Sequence, residues 1–200
     1  LLWKAAALLA ICSLVILLVV NESRRRKILA DQNKPEWEKA GTTNAAAWQS
    51  WKRALQMGST YTTVGLSNAI TEWEHATELD PNYAGAWSTL SVTITIAVRE
   101  GYLPGTNYLP RAIKYATKAV ELNPLAGPPY ESLAQARLSS DYDFTKAEPL
   151  FRKAIAIDPG NWIARNNFAW DLICEGRFEE AAGIWKRINQ EQPQQANPYF

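Results

Sequence analysis

Chemistry-bearing residues are sparse in these 200 residues. Cys12 and Cys174 are the only cysteines, and Cys12 lies inside an apolar run. That excludes a disulfide framework and a cysteine metal knuckle. His75 is the only histidine, on a helical stretch beside Ala76, where it reads as a solvent-facing residue. Charge of one sign is missing too: 21 Lys and Arg stand against 20 Asp and Glu. Without a basic excess there is no electrostatic case for a nucleic-acid partner. No P-loop, G-x-G-x-x-G, H-E-x-x-H or C-x-x-C occurs. Asp80 and Asp158 fall at helix ends, where carboxylates serve turns. The Glu179-Glu180 pair reads as a helix N-terminal answer to the dipole. Nothing here assembles an enzyme site, a metal site or a cofactor site, so the expectation is a protein that binds rather than catalyses.

What is present begins with "LLWKAAALLAICSLVILLVV", Leu1 to Val20, whose only charge is Lys4. About twenty apolar residues in a helix span a ~30 Å hydrocarbon core. Leu1, Leu9, Leu14, Leu17 and Val20 would face lipid, Trp3 suits the interface, and Lys4 can reach the headgroups. A signal peptide is the alternative, but the apolar run is too long and no small-residue cleavage site comes after Val20. The run therefore reads as a retained single-pass anchor in contact with the lipid bilayer. Residues 21–43 read as a polar juxtamembrane linker that carries a short helical turn. Arg24, Arg25, Arg26 and Lys27 would hold the C-terminal part of the chain in the cytoplasm by the positive-inside rule.

Beyond the linker one phrase returns four times. Ala69 to Pro81 is "AITEWEHATELDP", Ala112 to Pro124 "AIKYATKAVELNP", Ala147 to Pro159 "AEPLFRKAIAIDP" and Ala181 to Pro193 "AAGIWKRINQEQP". The opening alanines are 43, 35 and 34 residues apart. Each phrase reads as the second helix of a hairpin. A small residue admits the first helix, and Trp73, Phe151 or Trp185 fills the core four residues on. A small residue recurs at Ala76, Ala119 and Ala154, and Pro ends the helix because it cannot continue the hydrogen-bond ladder. Repeat two places Ala116, beside Tyr115, where the others have an aromatic, and repeat four has Ile188 in place of the second Ala.

The first helices lie in "AAAWQSWKRALQMG", "AWSTLSVTI", the stretch holding Leu133, Ala134 and Leu138, and "WIARNNFAWDLIC". The β-branched "SVTITIAV" falls where a first helix must lie, so pattern overrides propensity there. The expected fold is all-α: an N-terminal transmembrane helix, then a right-handed solenoid of about four helix-turn-helix repeats over residues 44–193 (about 45–81, 82–124, 125–159 and 160–193), then a tail, 194–200. The 43-residue spacing predicts that about nine extra residues, "REGYLPGTN", leave repeat two as an exposed loop, beside which a small ligand could bind.

A period near 34 with this patterning resembles tetratricopeptide repeats (TPR). Over roughly Ala45 to Pro193, including the "YDF" turn, the chain is similar to the TPR region that follows the transmembrane helix in bacterial CadC/ToxR-like regulators and membrane-bound cyclases. That resemblance implies a region outside the cytoplasmic membrane, on the periplasmic side, which mediates protein contacts or sensing. It outweighs the orientation read from Arg24 to Lys27. It does not carry over DNA binding or cyclase activity, whose domains lie ahead of the span.

The default partner surface is the concave face of the first helices: Trp48, Trp51 and Leu55, then Ser88, Val92 and Thr95, then Glu131 and Gln135, then Asn166 and Trp170. It is aromatic at both ends and nearly uncharged between, which suits a protein or peptide. At the far end the sequence shows no polar capping helix, so Ile184, Trp185 and Ile188 are expected to lie partly open, for Tyr199 and Phe200 or another subunit to cover. The function expected from the residues is a membrane-anchored interaction scaffold that docks onto protein subunits of a larger complex in the cytoplasmic membrane. The alternative is the extracytoplasmic sensor part of a transmembrane regulator.

Overall fold

The computed structural model describes residues 20–28, 30, 32–60 and 62–195, and among these every regular element is helical. The anchor expected at Leu1 to Val20 lies outside the described residues except for Val20. Among the described residues no helix is long and apolar enough to cross a membrane. The chain divides into two units, Leu1–Ala40 and Gly41–Phe200. In the first, residues 20–28 are helical and exposed, and a single turn spans Glu36–Lys39. The linker is thus more helical than its polarity implied. Arg and Lys favour helix, and Arg26 donates to Glu22 one turn back at 3.2 Å.

The second unit is a row of four antiparallel hairpins. Its helices are α1 (Ala45–Gly58), α2 (Thr63–Leu79), α3 (Ala84–Arg99), α4 (Gly105–Leu122), α5 (Gly127–Asp141), α6 (Phe144–Ile157), α7 (Trp162–Cys174) and α8 (Phe178–Glu191). Each packs on the next, and α3 also packs directly on α5. Caps set several starts. Asn44 accepts from the backbone of Ala46 and Ala47, Thr62 from Gly65 and Asn161 from Ala164. The four repeated phrases fall in α2, α4, α6 and α8, and Pro81, Pro124, Pro159 and Pro193 each come directly after the C-cap residue.

Small residues sit where helices cross. Ala69, Ala76, Ala112, Ala119, Ala154 and Ala181 are fully buried. Trp73, Phe151 and Trp185 are buried beside them. Phe151 stacks on Phe168 at 5.7 Å. Burying a side chain of that size stabilises by about 2–3 kcal/mol. Repeat two, lacking that aromatic, turns Tyr115 onto Trp87 at 5.4 Å instead. The core forms two clusters, one over α1 to α4 and one over α6 to α8. They meet at α5, where Ala136 joins the first and Ala134 the second. That helix is sandwiched, so residues 130–136 are buried without a break and its apolar stripe disappears.

Two expectations are corrected. The extra residues of repeat two make a shorter loop than expected: Arg99 closes α3 at 16 residues and residues 105–107 open α4 at 18, against 15 and 14 in α5 and α6. Only residues 100–104 connect them. Gly101 takes φ +78°, the left-handed value that ends a helix cheaply. Tyr102 and Leu103 then donate back to the Ala97 carbonyl, and Leu103 is buried in the first cluster. A buried apolar residue at the bend is what keeps the segment in. At the other end, Trp185 and Ile188 are 1% and 2% exposed, and Ile184 is half-buried. They lie on the face of α8 that packs on α7 against Phe168, Ala169 and Leu172, not on an outer face awaiting a cover.

Candidate functional site

Positions predicted for the concave face spread along the first helices with different degrees of access. On α1, Trp48 and Trp51 stack at 4.9 Å with planes 12° apart, and both are half-buried. The Trp51 indole N–H donates to Thr89 Oγ1 on α3 at 3.3 Å. Leu55 is 42% exposed and lines a cavity of about 280 Å³ with Gly58, Trp73, Thr89, Thr93 and Ile96. On α3, Ser88 and Thr95 are buried, and Val92 is half-buried. Thr95 donates to the Ser91 carbonyl, and Ser88 Oγ has no partner among the described residues, so these positions serve packing more than access.

Farther along, a larger cavity of about 610 Å³ opens between the end of α3, α5 and α7. Gln135, Asn166 and Trp170, all predicted, line it. Val98, Arg99, Leu138, Ser139, Tyr142, Phe144, Asn167, Asp171 and Cys174 line it too and were not predicted. Glu131 stands at the base of an amide cluster just N-terminal of it on α5. It accepts from Gln135 Nε2 at 3.1 Å, Asn167 Nδ2 at 2.7 Å and Asn161 Nδ2 at 3.5 Å. Burial pushes its carboxyl above the usual range while these bonds pull it back. Asn166 Oδ1 accepts from the Trp185 indole at 2.9 Å, which ties the cavity wall to the core of α8. Trp170 is 50% exposed and meets Trp185 edge-on at 5.3 Å. Tyr142 caps α5 with φ +49°, a left-handed value a bulky side chain seldom adopts, and remains exposed at the rim.

Asp171 is the electrostatic feature of this cavity. Its Oδ2 is sealed from solvent and has no hydrogen-bond partner among the described residues. Burial pushes the carboxyl up to about 7; attraction to Arg99 opposes the shift and Glu175 adds to it. Arg99 itself pairs with Glu100 at 3.3 Å on the surface. Asp171 thus offers an acid near neutrality, next to amides and an aromatic side chain. The sequence held one hint, the i, i+4 pairs Asn166–Trp170 and Asn167–Asp171 on one face of α7.

The remaining candidates have structural settings. His75 is exposed on α2. Asp80 accepts from Thr42 Oγ1 and from the backbone of Thr43 and Asn82, which fastens the start of the unit to the end of α2. Asp158 accepts from the Gly160 backbone in its turn. Glu179 and Glu180 stand in the first turn of α8, and Arg177 binds Glu180 at 2.6 Å and Glu148 of α6 at 2.6 Å. Among the described residues no group of three or more His, Cys, Asp or Glu side chains is placed to hold a metal.

Comparison with known proteins fits this geometry. Residues 138–199, under half of the chain, match the family model for the tetratricopeptide repeat. A thermophilic TPR protein of Thermus thermophilus, known from its crystal structure, superposes with a TM-score of 0.63 at 20% identity, over 79% of this chain and 78% of that one. MamA from AMB-1 aligns with a TM-score of 0.45 at 22% identity, over 73% of this chain and 74% of its own. No curated protein matches the chain. The helical array is a TPR-like solenoid, and its likeness to solved structures extends to fold alone.

Proposed function

We propose that the protein is an interaction scaffold whose first-helix face binds a segment of a partner protein, and that Leu1 to Val20 anchors it in the cytoplasmic membrane beside that partner. The observation that carries the reading is the half-exposed Trp170 at the mouth of the 610 Å³ cavity, on the face where α3, α5 and α7 converge. An aromatic side chain held by core contacts, here to Trp185, is what anchors a partner with little loss of side-chain entropy. The membrane part rests on the apolar run and its Arg24 to Lys27 flank, and the CadC/ToxR-like resemblance favours the periplasmic side for the array.

The test is extraction of native membranes in mild detergent, then a native gel with mass spectrometry of the band that holds this chain. Co-migration at fixed stoichiometry with other membrane subunits, lost in a Trp170→Ala chain that still folds, is the expected outcome. Recovery of the chain alone, or from the aqueous fraction before detergent, refutes the docking or the anchoring respectively. Peptides of a winged-helix or cyclase domain on the same polypeptide would turn the reading to a transmembrane sensor.

A further inference from the structure

We infer that the cavity between α3, α5 and α7 is a subsite for one basic side chain, lysine or arginine, of the bound partner segment, with Asp171 as its counter-ion. This rests on the interaction reading above and names the chemistry it selects. Asp171 is half-buried with Oδ2 sealed and unpartnered, and desolvation of that kind costs free energy that a cation beside the accessible part of the side chain can offset on binding. Among the described residues none donates a hydrogen bond to Asp171 Oδ2, and Arg99 attracts the carboxyl by charge alone. Arg99 lines the cavity but makes its ion pair with Glu100, and Asp171 Oδ2 accepts no hydrogen bond from them.

The neighbouring walls offer acceptors as well. Gln135 and Asn167 spend amide N–H groups on Glu131, which leaves their carbonyl oxygens for a ligand. Asn166 uses its oxygen on Trp185, so its NH₂ remains to meet a backbone carbonyl of the segment that carries the basic residue. Trp170 and Tyr142 are exposed at the mouth, where a cation gains from an aromatic face. At about 610 Å³ the space takes a side chain together with its neighbours in sequence. The charged and titratable groups that line the cavity with Asp171 are Arg99 from the end of α3, Tyr142 from the end of α5 and Cys174 from α7, and Glu175, which caps α7, also acts on its carboxyl. Arg99 is the only cation lining the cavity among the described residues, and it sets the repulsion that an incoming cation must overcome.

Cys174 lines the same cavity and is exposed, so it reports occupancy without a foreign label. The experiment uses the full chain in mild detergent with Cys12→Ser, and monitors alkylation of Cys174 by iodoacetamide at about pH 8. The probes are N-acetyl-lysine amide, N-acetyl-norleucine amide, which has a similar stem without the ammonium, and putrescine. The lysine derivative is expected to slow alkylation several-fold at millimolar concentration while norleucine leaves the rate unchanged. At about pH 6 roughly tenfold more lysine derivative should be needed, because the cation binds the ionised form of a carboxyl that titrates at about 7. Asp171→Asn should abolish the lysine effect and its pH dependence.

Equal protection by norleucine, no protection by the lysine derivative, or full protection in Asp171→Asn each overturns the inference. Protection by putrescine at tenfold lower concentration than the lysine derivative overturns it in favour of a free amine. Loss of this effect with co-migration on native gels intact removes only the subsite, and leaves the scaffold reading standing.

Discussion

Replacing Asp171 by Asn should make the free protein more stable at neutral pH while removing the group we assign to binding. The folded carboxyl titrates at about 7, against an ordinary 3.8, because it is buried. Between those values the native chain keeps a proton that the unfolded chain has released, so wild-type stability falls as pH rises. The slope is about 1.4 kcal/mol per pH unit, and the loss is complete once pH passes the folded value. Asn matches the protonated acid in shape and never ionises. The two proteins should therefore be equally stable near pH 4 and diverge above it. The full shift corresponds to about 4 kcal/mol, and we expect roughly 2–4 kcal/mol at about pH 8 because the side chain keeps some contact with solvent. Glu131, also raised by burial, contributes its own slope to both chains and cancels in the difference. Urea unfolding monitored by far-UV circular dichroism, at intervals from about pH 4.5 to 8.5, measures it directly. Profiles that run parallel within about 0.5 kcal/mol would refute the unpaired-carboxyl account, and with it the energetic reason for a cationic ligand.

Two further substitutions probe the packing. Ala112→Leu puts bulk where Ser91 Oγ reaches the Ala112 carbonyl at 2.8 Å and no surface is exposed, and should cost about 1–3 kcal/mol in urea unfolding. Gly183→Ala, inside α8 with open space around its Cβ position, should stabilise by about 0.5–1 kcal/mol, whereas Gly101→Ala, equally open but at φ +78°, should cost about 1 kcal/mol. Opposite signs from the same chemical change, read as urea midpoints, separate backbone conformation from sterics.

The second helices were readable because packing and termination leave marks in composition. Ala69, Ala112, Ala147 and Ala181 must be small to let a helix cross, and the prolines directly after Asp80, Asn123, Asp158 and Gln192 must stop it. The β-branched "SVTITIAV" lies in α3, where tertiary position overrides local preference. The bend after α3 was misread because Gly, Pro and Gly over five residues look alike in a surface loop and in a tight turn. What separates them is Leu103, whose burial no local pattern announces. Trp185 and Ile188 were misplaced for a similar reason: an amphipathic helix declares that it has an apolar face, not which neighbour covers it. Asp171 was missed because a lone carboxylate on a helix is ordinarily solvated, and the cavity it lines is made by residues of α3 and α5 as well as α7.

The cavity also explains what the extra length of repeat two accomplishes. In an array of hairpins, positions one repeat apart become neighbours across adjacent first helices. Asn167 reaches Glu131 at 2.7 Å in this way, and Asp171 shares a cavity with Gln135. Arg99 follows the same rule with Tyr142, which lies 43 residues on, the spacing of repeat two, and lines the same cavity. It stands at the very end of α3, which at 16 residues outruns α7 at 13, and α3 packs directly on α5. The end of α3, three residues longer than α7, thus places Val98 and Arg99 on the wall of the cavity that Gln135 and Asp171 share. An insertion that looked like a loop for binding instead brings the end of α3 to the cavity, where Val98 adds apolar wall and the Arg99 charge draws the Asp171 carboxyl back down against its burial.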